Sequence, residues 1–269
     1  MDNLSFYGLT KNPFNKENTA ESGYFDSRDF REMRSRLEYL KDIRGIGLFT
    51  APPGMGKSYC LRCFAKNLNP NIFTPEYIRI STVGIMEFYR TLCYALGLSD
   101  QGRKAAMFRA IHDEIYALYK TKRRPLVLAI DEAHELSDAV LRDLKMLMNF
   151  EYDSLNCFTL ILAGEPQLNS RIMKPLHDSL RQRITVHYNF HGLDDSEVAS
   201  YILHKIESAG GTKAIISDAA IAAVHSSSAG NPRTIDTLMT DALMIGCQHG
   251  TKVIDAETIR LAAENQKFD

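Results

Sequence analysis

The sequence predicts a parallel α/β domain followed by a small all-helical domain. Short apolar runs that read as strands alternate with stretches of helical periodicity through about residue 182. A turn rich in Pro and Gly at 51–56 joins the first of those runs to a helix beginning near Lys57. From about residue 192 onward the apolar residues fall at helical spacing alone. The expected organisation is an arm over 1–26, an α/β domain over 27–190 and a helical domain over 191–269.

In chain order, residues 1–25 read as an irregular arm with Phe6, Tyr7, Phe14, Tyr24 and Phe25. Ser27 is placed to cap a helix over 28–43, on which Phe30, Met33, Leu37 and Leu40 share a face. Residues 45–50 are a short apolar strand, followed by the turn and the helix from Lys57. Residues 77–80 read as a second strand. An apolar helix over 84–96 is ended by Gly97 and Ser99, and a further helix covers 103–120. Residues 126–130 are continuously apolar, the pattern of a strand covered on both faces. Ser137 is placed to cap a helix over 138–149. Residues 157–163 are another buried strand, with helical segments following to about 182. Beyond 192, Val198, Tyr201, Ile202 and Ile206, then Ile221 and Val224, then Leu238, Ala242 and Leu243 repeat at helical spacing.

Hydrophobic residues make up 45% of the 269 and charged residues 24%. That is ordinary globular usage and excludes a disordered or collagen-like chain. The longest apolar stretches, 126–130 and 160–163, fall far short of the ~20 residues of a membrane helix. No basic segment leads into an apolar run at the N-terminus, so the expectation is a soluble, cytoplasmic protein without a membrane partner. The five cysteines, Cys60, Cys63, Cys93, Cys157 and Cys247, are scattered and odd in number, which does not suit a disulfide framework. Cys60 and Cys63 have no second pair and no His at zinc spacing, and read as small buried thiols of a helix. The net charge of −1 divides into +4 over 1–189 and −5 over 190–269. Such a chain is not electrostatically committed to nucleic acid, and a polyanion would meet the first part.

The strongest chemical signal is Ala51-Pro52-Pro53-Gly54-Met55-Gly56-Lys57-Ser58, placed after a strand and opening a helix. Glycines there let backbone N–H groups turn inward around phosphates, and the helix N-terminus adds partial positive charge. Lys57 would reach phosphate oxygens, and the Ser58 hydroxyl would ligate Mg²⁺. The pattern departs from the usual phosphate loop in having Ala51 where the first glycine stands, a position that only begins the turn. The second signal is Leu126-Val127-Leu128-Ala129-Ile130-Asp131-Glu132, a buried strand ending in two carboxylates. Asp131 would hold Mg²⁺, and Glu132 would polarise the attacking water, the two needs of phosphoryl transfer being charge neutralisation and an aligned nucleophile. Asp131-Glu132-Ala133-His134 also spells a helicase tetrapeptide. Two tandem motor domains do not fit in 269 residues, so His134 is expected to be a loop residue.

With these motifs the chain resembles the AAA+ ATPases, and within them the ExeA-type ATPases and the ATPase core of the transposition regulators TniB, TnsC and MuB. The narrower similarity is carried by Phe6-Tyr7-Gly8-Leu9, Pro13-Phe14, Tyr24-Phe25, Gly164-Glu165-Pro166-Gln167-Leu168, Leu180-Arg181-Gln182-Arg183-Ile184 and Gly230-Asn231-Pro232-Arg233. The resemblance implies a P-loop AAA+ parallel sheet flanked by helices and followed by a small all-α lid. It implies ATP and Mg²⁺ as cofactors, with Pro53, Gly54, Met55, Gly56, Lys57, Ser58 and Tyr59 around the nucleotide. Arg233 matches the lid arginine that senses the γ-phosphate, and Arg183, or else Arg181, the arginine finger offered to a neighbouring subunit. Glu165 stands where the family places a neutral polar sensor; a carboxylate there would be repelled by phosphate unless protonated or turned away.

The resemblance further implies a homo-oligomer, as a ring or helical filament. ExeA-type proteins carry a membrane span and a wall-binding region after the ATPase, and the expectation here is a chain without that anchor. The helix over 84–96 resembles the extra helix of initiator-like AAA+ proteins, an element that often faces DNA. Arg103 and Lys104, then Lys120, Lys122, Arg123 and Arg124, are the candidate contacts to duplex DNA, and they would grip phosphates without reading sequence. The expected function is that of an AAA+ ATPase that assembles on DNA and regulates transposition by recruiting or activating a transposase. The alternatives are an ExeA-like ATPase serving secretion or membrane-complex assembly through a separate partner, and a nucleotide switch with little turnover.

Overall fold

The computed structural model describes residues 3–15, 24–79, 81 and 84–266. Ile80, expected to close the second strand, and residues 16–23 of the arm lie outside them. The chain divides into two compact units: Glu32–Phe190, and a second that joins the residues up to Arg31 to those from His191 on.

The helices of the first part of the chain are α1 (Asn3–Phe6), α2 (Arg28–Ile43), α3 (Lys57–Asn67), α4 (Ile85–Ala95), α5 (Lys104–Lys120), α6 (Asp138–Leu147), α7 (Gln167–Ile172) and α8 (Asp178–Arg181). The strands are β1 (Ile46–Thr50), β2 (Thr74–Arg79), β3 (Leu126–Asp131), β4 (Thr159–Gly164) and β5 (Ile184–Asn189). They form one sheet in the order β2-β3-β4-β1-β5, and every neighbouring pair is parallel. The three inner strands are buried at every residue, which is why their sequences are unbroken apolar runs. Phe88 and Leu92 of α4, Ile111 and Ile115 of α5, and Leu141 and Leu144 of α6 share a core with Leu128, Ile130 and Leu160 of the sheet. Each such side chain contributes about 1.5–3 kcal/mol by leaving water.

Two sheet edges differ from the sequence reading. β5 is a strand where only helical segments and an unassigned stretch were expected. It alternates between more and less buried positions as an edge strand does, and Thr50 pairs with Asn189. β2 begins at Thr74, three residues before the expected start. The caps agree with expectation. Phe30 N donates to Ser27 Oγ at 3.2 Å, and Val140 N to Ser137 Oγ at 3.4 Å. Gly97, with φ 68°, ends α4, and Leu98 N returns to Cys93 O at 2.8 Å. Cys60 is buried, its thiol pushed up to about 12 by desolvation, so it stays protonated in the core.

Because all five strands run one way, their C-terminal ends share one edge of the sheet. The chain leaves β1, passes β4 and β3, and enters the sheet again at β2. The crevice at such a reversal is where open α/β sheets bind ligands.

The helical unit holds α9 (Asp195–Ser208), α10 (Asp218–Ser228), α11 (Pro232–Gln248) and α12 (Ala256–Asn265). Val198, Ile202, Ile206, Val224, Leu238 and Ala242 form its core, joined by Tyr7, Leu9 and Phe14 from the N-terminal segment. Tyr7 donates to Thr251 O at 3.0 Å, and Thr10 N to Ala209 O at 2.9 Å. Asn231 caps α11, accepting from Arg233 N at 3.0 Å. Gly230, with φ 70°, accepts at its carbonyl from Leu193 N at 2.8 Å. A Cβ on Gly230 would stand against the Leu193 backbone, 2.9 Å from its nitrogen. Gly230→Ala therefore combines a left-handed residue with a backbone clash. It is expected to destabilise the protein by about 2–4 kcal/mol, read as a lower urea midpoint with an unchanged slope.

Candidate functional site

The turn after β1 is built by two left-handed glycines, Gly54 (φ 91°) and Gly56 (φ 94°), the second serving as the N-cap of α3. Ala51 is buried, its N–H donating to Gly164 O at 3.1 Å, and it has no positive φ, so a glycine is not needed there. Lys57 is 7% exposed. Its Nζ donates to Ala51 O at 2.7 Å and to Pro52 O at 3.3 Å, which holds the ammonium across the turn. Pro53, Gly54, Met55 and Gly56 form the rest of the turn, and Ser58 and Tyr59 follow in the first turn of α3.

Asp131 ends β3 and is 1% exposed. A carboxylate so enclosed has to be hydrogen-bonded. Its Oδ2 accepts from Ser58 Oγ at 2.6 Å and from Tyr77 OH at 2.6 Å, and its Oδ1 accepts from Glu132 N at 3.0 Å. The Ser58 and Asp131 oxygens are thus adjacent across 73 residues of sequence, an oxygen pair suited to a hard divalent cation. Tyr77 was not found by sequence reasoning. It stands on β2 opposite Ala129 of β3, so its ring lies along the strand face that leads to Asp131. Burial, then the bond to Asp131, push its hydroxyl well above the usual phenol range, and it acts as a donor throughout the physiological range.

Glu132 takes a left-handed backbone conformation, φ 57° and ψ 34°, costing about 1–3 kcal/mol for a non-glycine residue. This turns its side chain into a cleft of about 500 Å³ lined by Arg79, Ser81, Glu132, His134, Glu135 and Glu165. Arg79, in register with Asp131, reaches Glu132 Oε1 at 3.7 Å. Glu165 follows β4 directly and faces His134 Nε2 at 3.7 Å. Glu132, His134 and Glu165 bring ligand atoms within 4.8 Å of one another, so this trio could hold a metal ion. His134 does lie in a short turn, Ala133–Glu135, as expected, but its side chain is 7% exposed and enclosed by carboxylates. Arg79 carries no signal at the sequence level beyond its place in a strand, and His134, noticed in the Asp131–His134 tetrapeptide, was expected only as a loop residue.

Arg183 pairs with Asp153 at 2.5 Å, and Arg181 with Asp178 of its own helix at 2.9 Å. Arg233 is in the helical unit, in the first turn of α11. Among the basic candidates, Lys104 pairs with Asp143, Lys120 with Glu151 at 3.5 Å and Lys122 with Glu114 at 2.7 Å. Arg103, Arg123 and Arg124 are exposed and make no ion pair among the described residues.

A phosphate-loop turn and a strand ending in paired acids, on the two strands that flank β4, are the arrangement of the P-loop AAA+ fold. Residues 41–172 match the family described as AAA domain. General secretion pathway protein A of Aeromonas hydrophila is 30% identical over 262 residues, covering 96% of this chain and 47% of that protein. The chain therefore spans about half the length of the curated relative it matches. Solved structures share the fold, among them the following three. Cdc6p from Pyrobaculum aerophilum has a TM-score of 0.72 at 15% identity, covering 95% of this chain and 71% of that one. The Aeropyrum pernix ORC1 protein in complex with DNA has 0.63 at 13%, covering 91% and 66%. The Thermotoga maritima RuvB Holliday junction branch migration motor has 0.58 at 19%, covering 89% and 69%. Among the described residues no helix is long and apolar enough to cross a membrane.

Removing the Tyr77 hydroxyl deletes one of two donors to Asp131 Oδ2. Tyr77→Phe is expected to raise the Mg²⁺ concentration that half-saturates nucleotide binding about three- to tenfold, since hydrogen bonds to charged groups carry about 1.5–3 kcal/mol and this one is partly exposed. A Mg²⁺ titration of bound fluorescent nucleotide reads the shift.

Proposed function

We propose that the chain binds ATP with Mg²⁺ at the turn 51–58 and hydrolyses it, and that nucleotide joins copies of the chain into a ring or helical filament on duplex DNA, which recruits or activates a transposase. The observation that carries the nucleotide part is the convergence of Gly54, Gly56, buried Lys57 and the Ser58–Asp131 pair at 2.6 Å on one edge of a parallel sheet. Ser58 and Asp131 would hold Mg²⁺, which supplies charge neutralisation to the phosphates. Lys57 would exchange the carbonyls of its own turn for phosphate oxygens. Glu132, one residue past Asp131 and turned into the cleft, is the base that orients water, and Glu165 lines the same cleft. Phosphoryl transfer needs little else from a protein.

Assembly is supported by Arg183. Its partner Asp153 is half exposed, and an ion pair of that kind contributes at most about 1 kcal/mol, so a neighbouring subunit's phosphate can replace it at small cost. Arg181, tied within its own helix, is the weaker finger, and Arg233 is the proposed nucleotide sensor of the helical unit. DNA contact is assigned to Arg103, Arg123 and Arg124, and also to Lys104, Lys120 and Lys122, whose surface ion pairs a phosphate can replace at the same small cost. The likeness in fold to an ORC1 protein solved on DNA supports the same direction. A second reading, an ATPase that assists secretion-complex assembly through a separate partner, is favoured by the similarity to General secretion pathway protein A.

The test uses Glu132→Gln, which is expected to bind ATP and hydrolyse it about 10²-fold more slowly, the scale of a lost general base. Sedimentation and negative-stain imaging of that variant with ATP and duplex DNA should give rings or filaments that fall apart when salt rises from about 50 to 200 mM. A monomer under all conditions contradicts the assembly. Assembly indifferent to DNA favours the secretion reading, and turnover of the unaltered chain as slow as the variant's favours a nucleotide switch.

A further inference from the structure

His134 has no part in the nucleotide chemistry above, yet it is the most enclosed side chain of the cleft. Its Nδ1 lies 3.3 Å from the backbone nitrogen of Glu165. An amide N–H only donates, so Nδ1 is the acceptor and the ring proton sits on Nε2. Nε2 faces Glu135 Oε1 at 3.2 Å and Glu165 Oε1 at 3.7 Å. The ring therefore bridges the turn after β3 to the turn after β4.

Two further features hold the turns together. A Cβ on Gly164 would lie 3.0 Å from His134 N, so the glycine allows the close approach. Arg171 Nη1 donates to His134 O at 2.7 Å while its Nη2 grips Asp138 at 2.6 Å, which fixes the main chain under the ring. Glu132 Oε2 lies 3.6 Å from Nδ1, a nitrogen whose lone pair already serves Glu165. On the other side Arg79 stands 3.7 Å from Oε1. The ring offers the Glu132 carboxylate a wall and no proton. A carboxylate that has to accept a proton from water needs to be placed firmly and left without a short donor.

We infer that His134 is a positioning residue for hydrolysis: as the neutral Nε2–H tautomer it ties the Glu132 turn to the Glu165 turn and sets where the Glu132 carboxylate stands. The inference rests on Glu132 as the hydrolytic base. His134 itself touches neither nucleotide nor water in this role.

The experiment compares single-turnover hydrolysis, affinity for a fluorescent ATP analogue and thermal melting in His134→Ala, His134→Asn, His134→Gln and Glu132→Gln. His134→Ala is expected to slow hydrolysis about 10–100-fold, the scale of a misplaced catalytic group, with nucleotide affinity unchanged within about twofold. Asn places its Oδ1 where Nδ1 stands and accepts from Glu165 N–H, so His134→Asn is expected to hydrolyse within about threefold of the unaltered chain. Gln reaches toward the Nε2 position instead and is expected to stay as slow as Ala. The inference is overturned if His134→Ala hydrolyses at the original rate, if affinity falls in step with rate, or if Asn is no faster than Gln. The Asn and Gln pair decides the matter even where the alanine variant melts early. A fast Glu132→Gln removes the base and the inference with it, a pattern that failure of His134 alone does not produce.

Discussion

A carboxylate buried at the end of the central strand is the constraint around which this molecule is arranged. Asp131 is shut off from water, and an enclosed carboxylate without donors would cost several kcal/mol or take up a proton. Three donors from three places meet it: Ser58 at the start of α3, Tyr77 on β2, and the backbone of Glu132. Each donor fixes a relation between elements. Ser58 sets the phosphate turn against β3, Tyr77 sets β2 in register beside it, and the Glu132 amide bends the chain out of the sheet into the cleft. The strained left-handed backbone at Glu132 follows from that bend, and it directs the neighbouring acid to the place where chemistry is proposed.

The parallel sheet makes this arrangement possible. β4 lies between β1 and β3, so the turn after β1 and the acids after β3 flank the end of β4 and Glu165. Gly164 keeps that end slim enough for the turns to meet. The buried ammonium of Lys57 and the N-terminus of α3 bring positive charge to the same edge that Asp131, Glu132 and Glu165 make negative. Such an edge suits a metal–polyphosphate pair better than either ion alone.

Much of this was legible where the chemistry is contiguous in sequence. The phosphate turn, the helix it opens and the apolar strand ending in Asp131 and Glu132 could be read because neighbours in sequence are neighbours in space there. β5 escaped notice because an edge strand shows only short alternation, and Ile184, Val186 and Tyr188 follow closely on a helical stretch. Tyr77 was passed over, and His134 was set aside as a loop residue, for another reason. Their partners lie 54 and 31 positions away, and only the sheet register and the approach of two turns bring them together. The basic residues illustrate the converse. Lys104, Lys120 and Lys122 read in sequence as a run of cations, and only the fold shows Asp143, Glu151 and Glu114 beside them. The N-terminal aromatic residues were read as an arm, whereas the apolar face of the helical unit has room for Tyr7, Leu9 and Phe14 in its core.

The central claim is that a nucleotide triphosphate with its metal sits in the turn that Lys57 closes. Calorimetric titration of the full chain with MgATP, beside the same titration of Lys57→Ala, tests it most directly. Saturable one-site heat from the unaltered chain, absent from Lys57→Ala and from titrations without Mg²⁺ greatly weakened, is the predicted result. Equal binding by both proteins, or no heat from either while both remain folded, would contradict it.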